Sequence, residues 1–188
     1  MIALILGLVL FFGMHAIRML APGLRDAQIA ASEGRWKGLY SLVSLAGFVL
    51  IVWGYILYRP DAPQLYLPPD WGRYAAIVLV WLGFVCLVAA YQPVGRIKAT
   101  IQHPMLTGIA LWSAGHLLAN GDGAGFIVFG AFLVYSLWNL AAQFRRDQPR
   151  PAFAGYRGDI VALVSGTIAY AAILLWLHAW LFGVNPMA

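Results

Sequence analysis

Long apolar runs that are almost free of charge are the feature that most constrains how this chain can fold. Six of them stand along its 188 residues, at 2–20, 39–58, 74–91, 104–119, 124–143 and 160–183. A hydrocarbon core about 30 Å thick is crossed by a helix of about 20 such residues. Because the runs are continuous rather than alternating, they predict helices and not strands. We therefore expect an all-α, polytopic membrane helical bundle with about six transmembrane helices. The fourth run is short, so its helix either extends back to Ile101 or stops short of a full crossing.

The basic residues predict the orientation of this bundle. Ten of the twelve lysines and arginines fall in the odd-numbered connections, and only Arg59 and Arg73 fall in the even ones. The positive-inside rule then places the odd connections in the cytoplasm and both termini on the outer (periplasmic) side. The same bias accounts for the net charge of +5 without a nucleic acid partner. The partner that the composition predicts is the lipid bilayer.

Few residues in the chain are suited to chemistry. Cys86 is the one cysteine, and the sequence has no glycine-rich phosphate loop and no HExxH metal motif. The seven carboxylates all lie in predicted connections, so acid–base catalysis by buried carboxylates is not expected. Asp122, in the stretch "NGDG", fits a turn better than a site. The candidates that remain are the four histidines, His15, His103, His116 and His178.

Two of these histidines stand in one stretch, "QHPMLTGIALWSAGHLLANGD". On a helix, His103 and His116 point about 220° apart and lie about 20 Å apart along the axis, so they cannot bind one metal ion together. His116 shares a helical stripe with bulky residues, whereas the side of His103 carries small residues suited to helix packing. The bulky stripe consists of Met105, Ile109 and Trp112 with His116. A histidine in such surroundings is typical of a haem pocket, and also of an ordinary bundle core.

Three stretches carry a resemblance to a known family. "FFGMHAIRML", "QHPMLTGIALWSAGHLLANGD" and "LHAWLFGVNP" resemble the NnrU family of bacterial membrane proteins, and the resemblance covers essentially the whole chain. It implies a single NnrU-like transmembrane domain over residues 1–188, placed as a multi-pass protein in the bacterial inner (cytoplasmic) membrane. The family is associated with denitrification and with the function or expression of nitrite and nitric oxide reductases, whose machinery would be a partner.

The family is similar to the plant ζ-carotene isomerase, which holds haem b between two histidines. Carried onto this chain, the resemblance implies haem b as the cofactor and His15 and His116 as its metal ligands. Trp112 and Met105 are the further cofactor-binding candidates. By predicted depth in the membrane, His116 and His178 are the more natural pair, because both lie toward the outer side. His178 is therefore the rival ligand.

Other functions stay open at this point. A haem-dependent polyene cis–trans isomerase would bind a hydrophobic small molecule. "HPMLTG" also resembles the "RHPxYxG" stretch of isoprenylcysteine carboxyl methyltransferases, although Gln102 and Leu106 replace its arginine and tyrosine and no later "EE" pair follows. A non-enzymatic assembly partner of a reductase is the remaining alternative. Whether the chain is an enzyme is thus undecided by its sequence.

Overall fold

The computed structural model describes residues 1–146 and 149–187, and within these ranges the chain is helical, with no strand. The expected all-α fold class is confirmed. The helices are α1 (Ile2–Leu20), α2 (Pro22–Tyr58), α3 (Gly72–Tyr91), α4 (Arg96–Ile101), α5 (Pro104–Ala119), α6 (Gly123–Phe144), α7 (Arg157–Ala172) and α8 (His178–Phe182). A 3-10 turn at Arg59–Asp61 follows α2, and a π-helical turn at Ile173–Leu177 joins α7 to α8.

Five stretches of the described chain are long and apolar enough to cross a membrane. They are Ile2–Leu20, Pro22–Asp61, Gly72–Tyr91, Gly123–Phe144 and Arg157–Phe182. The remaining predicted helix, the fourth in chain order, corresponds to α5. It has the bounds that the sequence predicted but only 16 residues. At 1.5 Å per residue its length is about 24 Å, which is less than the hydrocarbon core.

α2 differs from its prediction at its beginning. The apolar run starts at Leu39, but the helix begins at Pro22, where proline suits the first helical turn. Ser32 interrupts it with φ −167° and ψ 103°, which kinks the helix. The first connection is therefore helical, because a segment outside the hydrocarbon core can form a helix without being apolar.

A strained turn separates α4 from α5. Gln102 has φ 65° and ψ −44°, and the backbone N–H of His103 donates to the carbonyl of Ile101 at 2.8 Å. This is the rare γ-turn with positive φ, a conformation that costs about 1–3 kcal/mol. His103 also precedes Pro104, which disfavours helical geometry at that position. The alternative that the fourth helix extends back to Ile101 is therefore wrong.

The described chain divides into two compact units. The first comprises residues 1–66 and 122–131, and in it α1 packs along α2. Their backbones approach closely at Gly7, where an added Cβ would lie 2.5 Å from the nitrogen of Ile51. At Gly54 a Cβ would overlap the backbone of Leu4, whose side chain is fully buried. Small residues of this kind permit close helix packing in membranes.

The second unit comprises residues 67–121 and 132 onward, and α3 is its central helix. α3 crosses α5 at a pair of glycines. A Cβ on Gly83 would lie 2.9 Å from the carbonyl oxygen of Gly108, and a Cβ on Gly108 would lie 2.8 Å from that of Gly83. Since both contacts are with backbone, only glycine fits at each position. This crossing fixes α5 against α3 and so positions the face that carries His116.

On its other side α3 packs against α7. Val85, Ala89 and Ala162 form a small buried core between the two helices. Two side-chain hydrogen bonds add to it: the Trp81 indole N–H donates to Thr167 Oγ1 at 2.9 Å, and the hydroxyl of Tyr170 donates to a carbonyl of α3 at 2.8 Å. These contacts hold α7 against α3, and the chain continues from α7 toward His178.

Candidate functional site

Three of the four histidines share one hydrogen-bond arrangement. In His15, His116 and His178 the ring nitrogen Nδ1 lies against a backbone carbonyl oxygen (of Phe11 at 2.7 Å, Trp112 at 2.8 Å and Val184 at 2.8 Å, respectively). A carbonyl can only accept, so Nδ1 is the protonated nitrogen and the lone pair is on Nε2. Histidines that bind metals are commonly oriented by this kind of hydrogen bond from the other ring nitrogen.

His116 lies on α5 within a group of aromatic rings. Its ring centroid is 5.0 Å from that of Trp112, and Trp112 makes an edge-on contact with Phe132 at 5.6 Å. The predicted neighbourhood of Trp112 and His116 is therefore confirmed. Met105 lies eleven residues before His116 on the same helix, about 16 Å along its axis, and it is 40% exposed. The structure thus brings Trp112, and not Met105, to His116.

A buried hydroxyl lies one helical turn from this aromatic group. Ser136 follows Phe132 by four residues on α6 and has 0% exposure. Its Oγ has no hydrogen-bond partner within residues 1–146 and 149–187. A buried polar atom without a partner is uncommon in native proteins and calls for an explanation such as a bound group.

His178 belongs to the same unit as His116. The π-helical turn Ile173–Leu177 immediately precedes it, and such turns are frequent at functional sites. Gly183, with φ 67°, then ends the helix and lets the chain turn, so that the carbonyl of Val184 reaches Nδ1 of His178. The position of this ring is therefore set by the π-helical turn before His178 and by the hydrogen bond to Val184 after it.

His15 belongs to the other unit. Its ring stacks on Phe11 with centroids 4.1 Å apart, and the ring of Tyr40 on α2 lies 5.2 Å away. The pairing of His15 with His116 stays a prediction, because the two residues belong to different units.

His103 occupies a different place from His116, at the start of α5. It packs edge-on against Phe144 with ring centroids 5.2 Å apart, and burial lowers the pKa of its imidazole. Because α5 is continuous from Pro104 to Ala119, the predicted separation of about 20 Å between the two histidines holds.

One buried carboxylate escaped the sequence reasoning. Asp159 lies in the first turn of α7, is 9% exposed and accepts hydrogen bonds from the backbone N–H groups of Arg96 at 2.7 Å and Ile97 at 3.0 Å. It therefore caps α4 from a distant helix. The prediction that all carboxylates lie in connections is wrong for Asp159, which lies within α7. It is also wrong for two carboxylates inside α2. Asp147 lies outside the described residues.

The glycines next to this cap are the sequence signal for it, because a larger residue would not fit there. A Cβ on Gly95 would overlap the carboxylate of Asp159, and a Cβ on Gly158 would overlap the carbonyl of Pro93. Asp122, for which a turn was predicted, caps the start of α6 instead: its Oδ1 accepts from the N–H of Gly125 at 2.8 Å.

Across the described ranges, no group of three or more His, Cys, Asp or Glu side chains is placed to bind a metal ion. A haem held by two histidines needs no such group.

Comparison with known proteins gives one result: the family model described as NnrU protein matches residues 3–186, nearly the whole chain. No curated protein and no solved structure matches it.

Proposed function

We propose that this chain, which belongs to the NnrU family, is a haem b-binding protein of the bacterial inner membrane that supports denitrification. Its contribution is to the function or expression of the nitrite and nitric oxide reductases. The five apolar stretches support the membrane placement.

The observation that carries the proposal is the common state of His15, His116 and His178. Each donates Nδ1–H to a backbone carbonyl and so keeps its lone pair on the basic nitrogen Nε2. Neutral imidazoles fixed in this way are the ligands that haem iron takes. When bound, haem b would supply a one-electron redox couple.

Around His116 the chain also offers what a large apolar group needs. Trp112 and Phe132 provide aromatic surface, and the buried hydroxyl of Ser136 lies one turn further along α6. These side chains would exclude water and orient the group. Met105, which was also expected at the site, could contribute only to its far edge.

The resemblance to the haem-binding isomerase gives His15 and His116 as the ligand pair, and we keep that pair as the first assignment. His178 is the rival partner, and one observation favours it: His178 and His116 lie in the same unit. The two assignments share His116 and differ in the second ligand.

Absorption spectra of the detergent-purified full chain from haem-replete cells test the proposal. We expect a Soret band in the wild type and its loss in His116→Ala and in His15→Ala. His103→Ala is the matched control and keeps the band, because this ring lies about 20 Å from His116 on the same helix. If His178→Ala loses the band and His15→Ala keeps it, the rival pair is correct.

A colourless, correctly folded wild type would contradict haem binding and favour a non-enzymatic assembly partner. The denitrification role has its own test. A denitrifying host that lacks its own copy should accumulate nitrite or nitric oxide, wild-type chain should restore their reduction, and His116→Ala should not. Restoration by His116→Ala would separate that role from haem.

A further inference from the structure

A basic cavity lies where α5 begins and α6 ends. Its volume is about 540 Å³, and its wall includes three arginines, two glutamine side chains and an imidazole. These six are Arg145, Arg146, Arg150, Gln102, Gln143 and His103. Among the residues that the structure describes, no carboxylate lines it. Positive-inside topology explains basic residues in a connection, but it does not require three guanidinium groups to line one cavity.

The groups in this wall match an oxyanion such as phosphate. A guanidinium group is always charged and presents N–H donors in a planar fork that fits a phosphate group at two points. The side-chain amides of Gln102 and Gln143 add neutral donors. The wall therefore combines permanent positive charge with directional donors.

Two features of the backbone and side chains hold this wall in place. Gln102 occupies the strained γ-turn, so its position is maintained at a cost in conformational energy, and such strain is often found at functional sites. A row of hydrogen bonds also runs along α6 to the cavity. It links Tyr135, Asn139, Gln143 and Arg146 at 3.1, 3.1 and 3.5 Å.

The cavity also lies where a lipid headgroup is expected. Phe144, the last residue of α6, ends a stretch suited to membrane crossing, and its ring is 56% exposed beside the cavity. An apolar surface next to a cationic cavity suits an amphiphile rather than a small free ion. Basic cavities at the cytoplasmic ends of transmembrane helices are known binding places for anionic headgroups.

We propose that this cavity binds the phosphate of an anionic phospholipid from the surrounding leaflet, with Arg145, Arg146 and Arg150 as its main contacts. The acyl chains lie along the apolar surface of α6 beyond Phe144. This site is independent of the histidine site, because it uses the other end of α5.

Native mass spectrometry of the full chain in detergent, titrated with phosphatidylglycerol or phosphatidylcholine, tests the proposal. The variant is Arg145→Gln with Arg150→Gln, since both side chains are exposed and their replacement leaves the fold intact. Removal of one basic side chain beside an anionic headgroup costs about fivefold in affinity, so we expect phosphatidylglycerol to bind roughly 25-fold more weakly. The matched control is Arg35→Gln with Lys37→Gln, which removes equal charge from another predicted cytoplasmic connection. The affinity of this control for phosphatidylglycerol should stay within about twofold of wild type.

Three results would overturn the proposal. Equal losses in the variant and the control would mean general surface charge. Equal binding of phosphatidylcholine would mean that the anionic headgroup is not recognised. Displacement of phosphatidylglycerol by millimolar inorganic phosphate would mean a site for a free anion instead of a lipid.

Discussion

At the residue scale, the contacts of His116 and of Asp159 differ in how far apart the two partners lie along the chain. Trp112 and His116 are four residues apart on one helix, so their contact follows from the 3.6-residue repeat. The bond between Asp159 and the backbone of Arg96 joins residues 63 positions apart. No local rule gives that pairing, because it depends on how α7 packs against α3. The ligand partner of His116 is undetermined from sequence for the same reason.

Asp159 gives a prediction at this scale. Asp159→Ala removes two hydrogen bonds from the backbone N–H groups of α4 to a charged carboxylate, which should cost about 1–3 kcal/mol of stability. For a chain of this size a loss of about 2 kcal/mol lowers Tm by roughly 4–8 °C. Thermal unfolding in detergent, followed by circular dichroism, measures the change.

Asp26→Ala is the control for that experiment. Asp26 forms an ion pair with Arg25 at 2.9 Å, and its side chain is 68% exposed. An exposed pair contributes at most about 1 kcal/mol, so its removal should change Tm little. Equal effects of the two variants would contradict the capping role of Asp159.

At the element scale, hydropathy predicted where helices lie and was less informative about where they begin. The bounds of α1 and α5 were predicted in full because apolar runs end there in polar or turn residues. The helical start of α2 at Pro22 was not predicted, since hydropathy does not distinguish an exposed helix from a loop. The break at Gln102 depends on a strained φ angle that its side chain does not signal.

The glycine crossing of α3 and α5 predicts that two glycine-to-alanine variants differ in their effect on stability. Gly108→Ala places a methyl group against the backbone carbonyl of Gly83 and should destabilise the chain by about 1–3 kcal/mol. Gly13→Ala is the matched control, since a Cβ there meets nothing within 4 Å. It should be neutral or stabilising by up to about 1 kcal/mol, because alanine favours a helix over glycine. Thermal unfolding of the two variants compares them, and a destabilised Gly13→Ala with an unaffected Gly108→Ala would contradict this packing.

At the scale of the whole molecule, the short helix α5 decides the topology. Six crossings place both termini on one side, whereas five place them on opposite sides. The helix measures about 24 Å against a core of about 30 Å, a mismatch that local thinning of the bilayer can accommodate. The distribution of basic residues predicts that α5 does cross and that both termini are outside.

Cysteine labelling tests this topology, because the chain has a single native thiol, that of Cys86. In a Cys86→Ser background, a new cysteine is inserted directly after Met1 at one end, and another replaces Asn185 near the other. A membrane-impermeant maleimide applied to intact spheroplasts should label both positions. Labelling of one position alone would show an odd number of crossings and would overturn the predicted orientation.

The π-helical turn at Ile173–Leu177 has a consequence for how this chain tolerates changes in length. Such a turn corresponds to one residue more than an ordinary α-helix accommodates. Deletion of one residue from this stretch should therefore leave an uninterrupted helix instead of breaking one. Because five residues of a π turn rotate the chain about as far as four α-helical residues do, about 400°, His178 would still face nearly the same direction relative to α7. A chain shortened at this turn should therefore stay folded and keep whatever that imidazole binds.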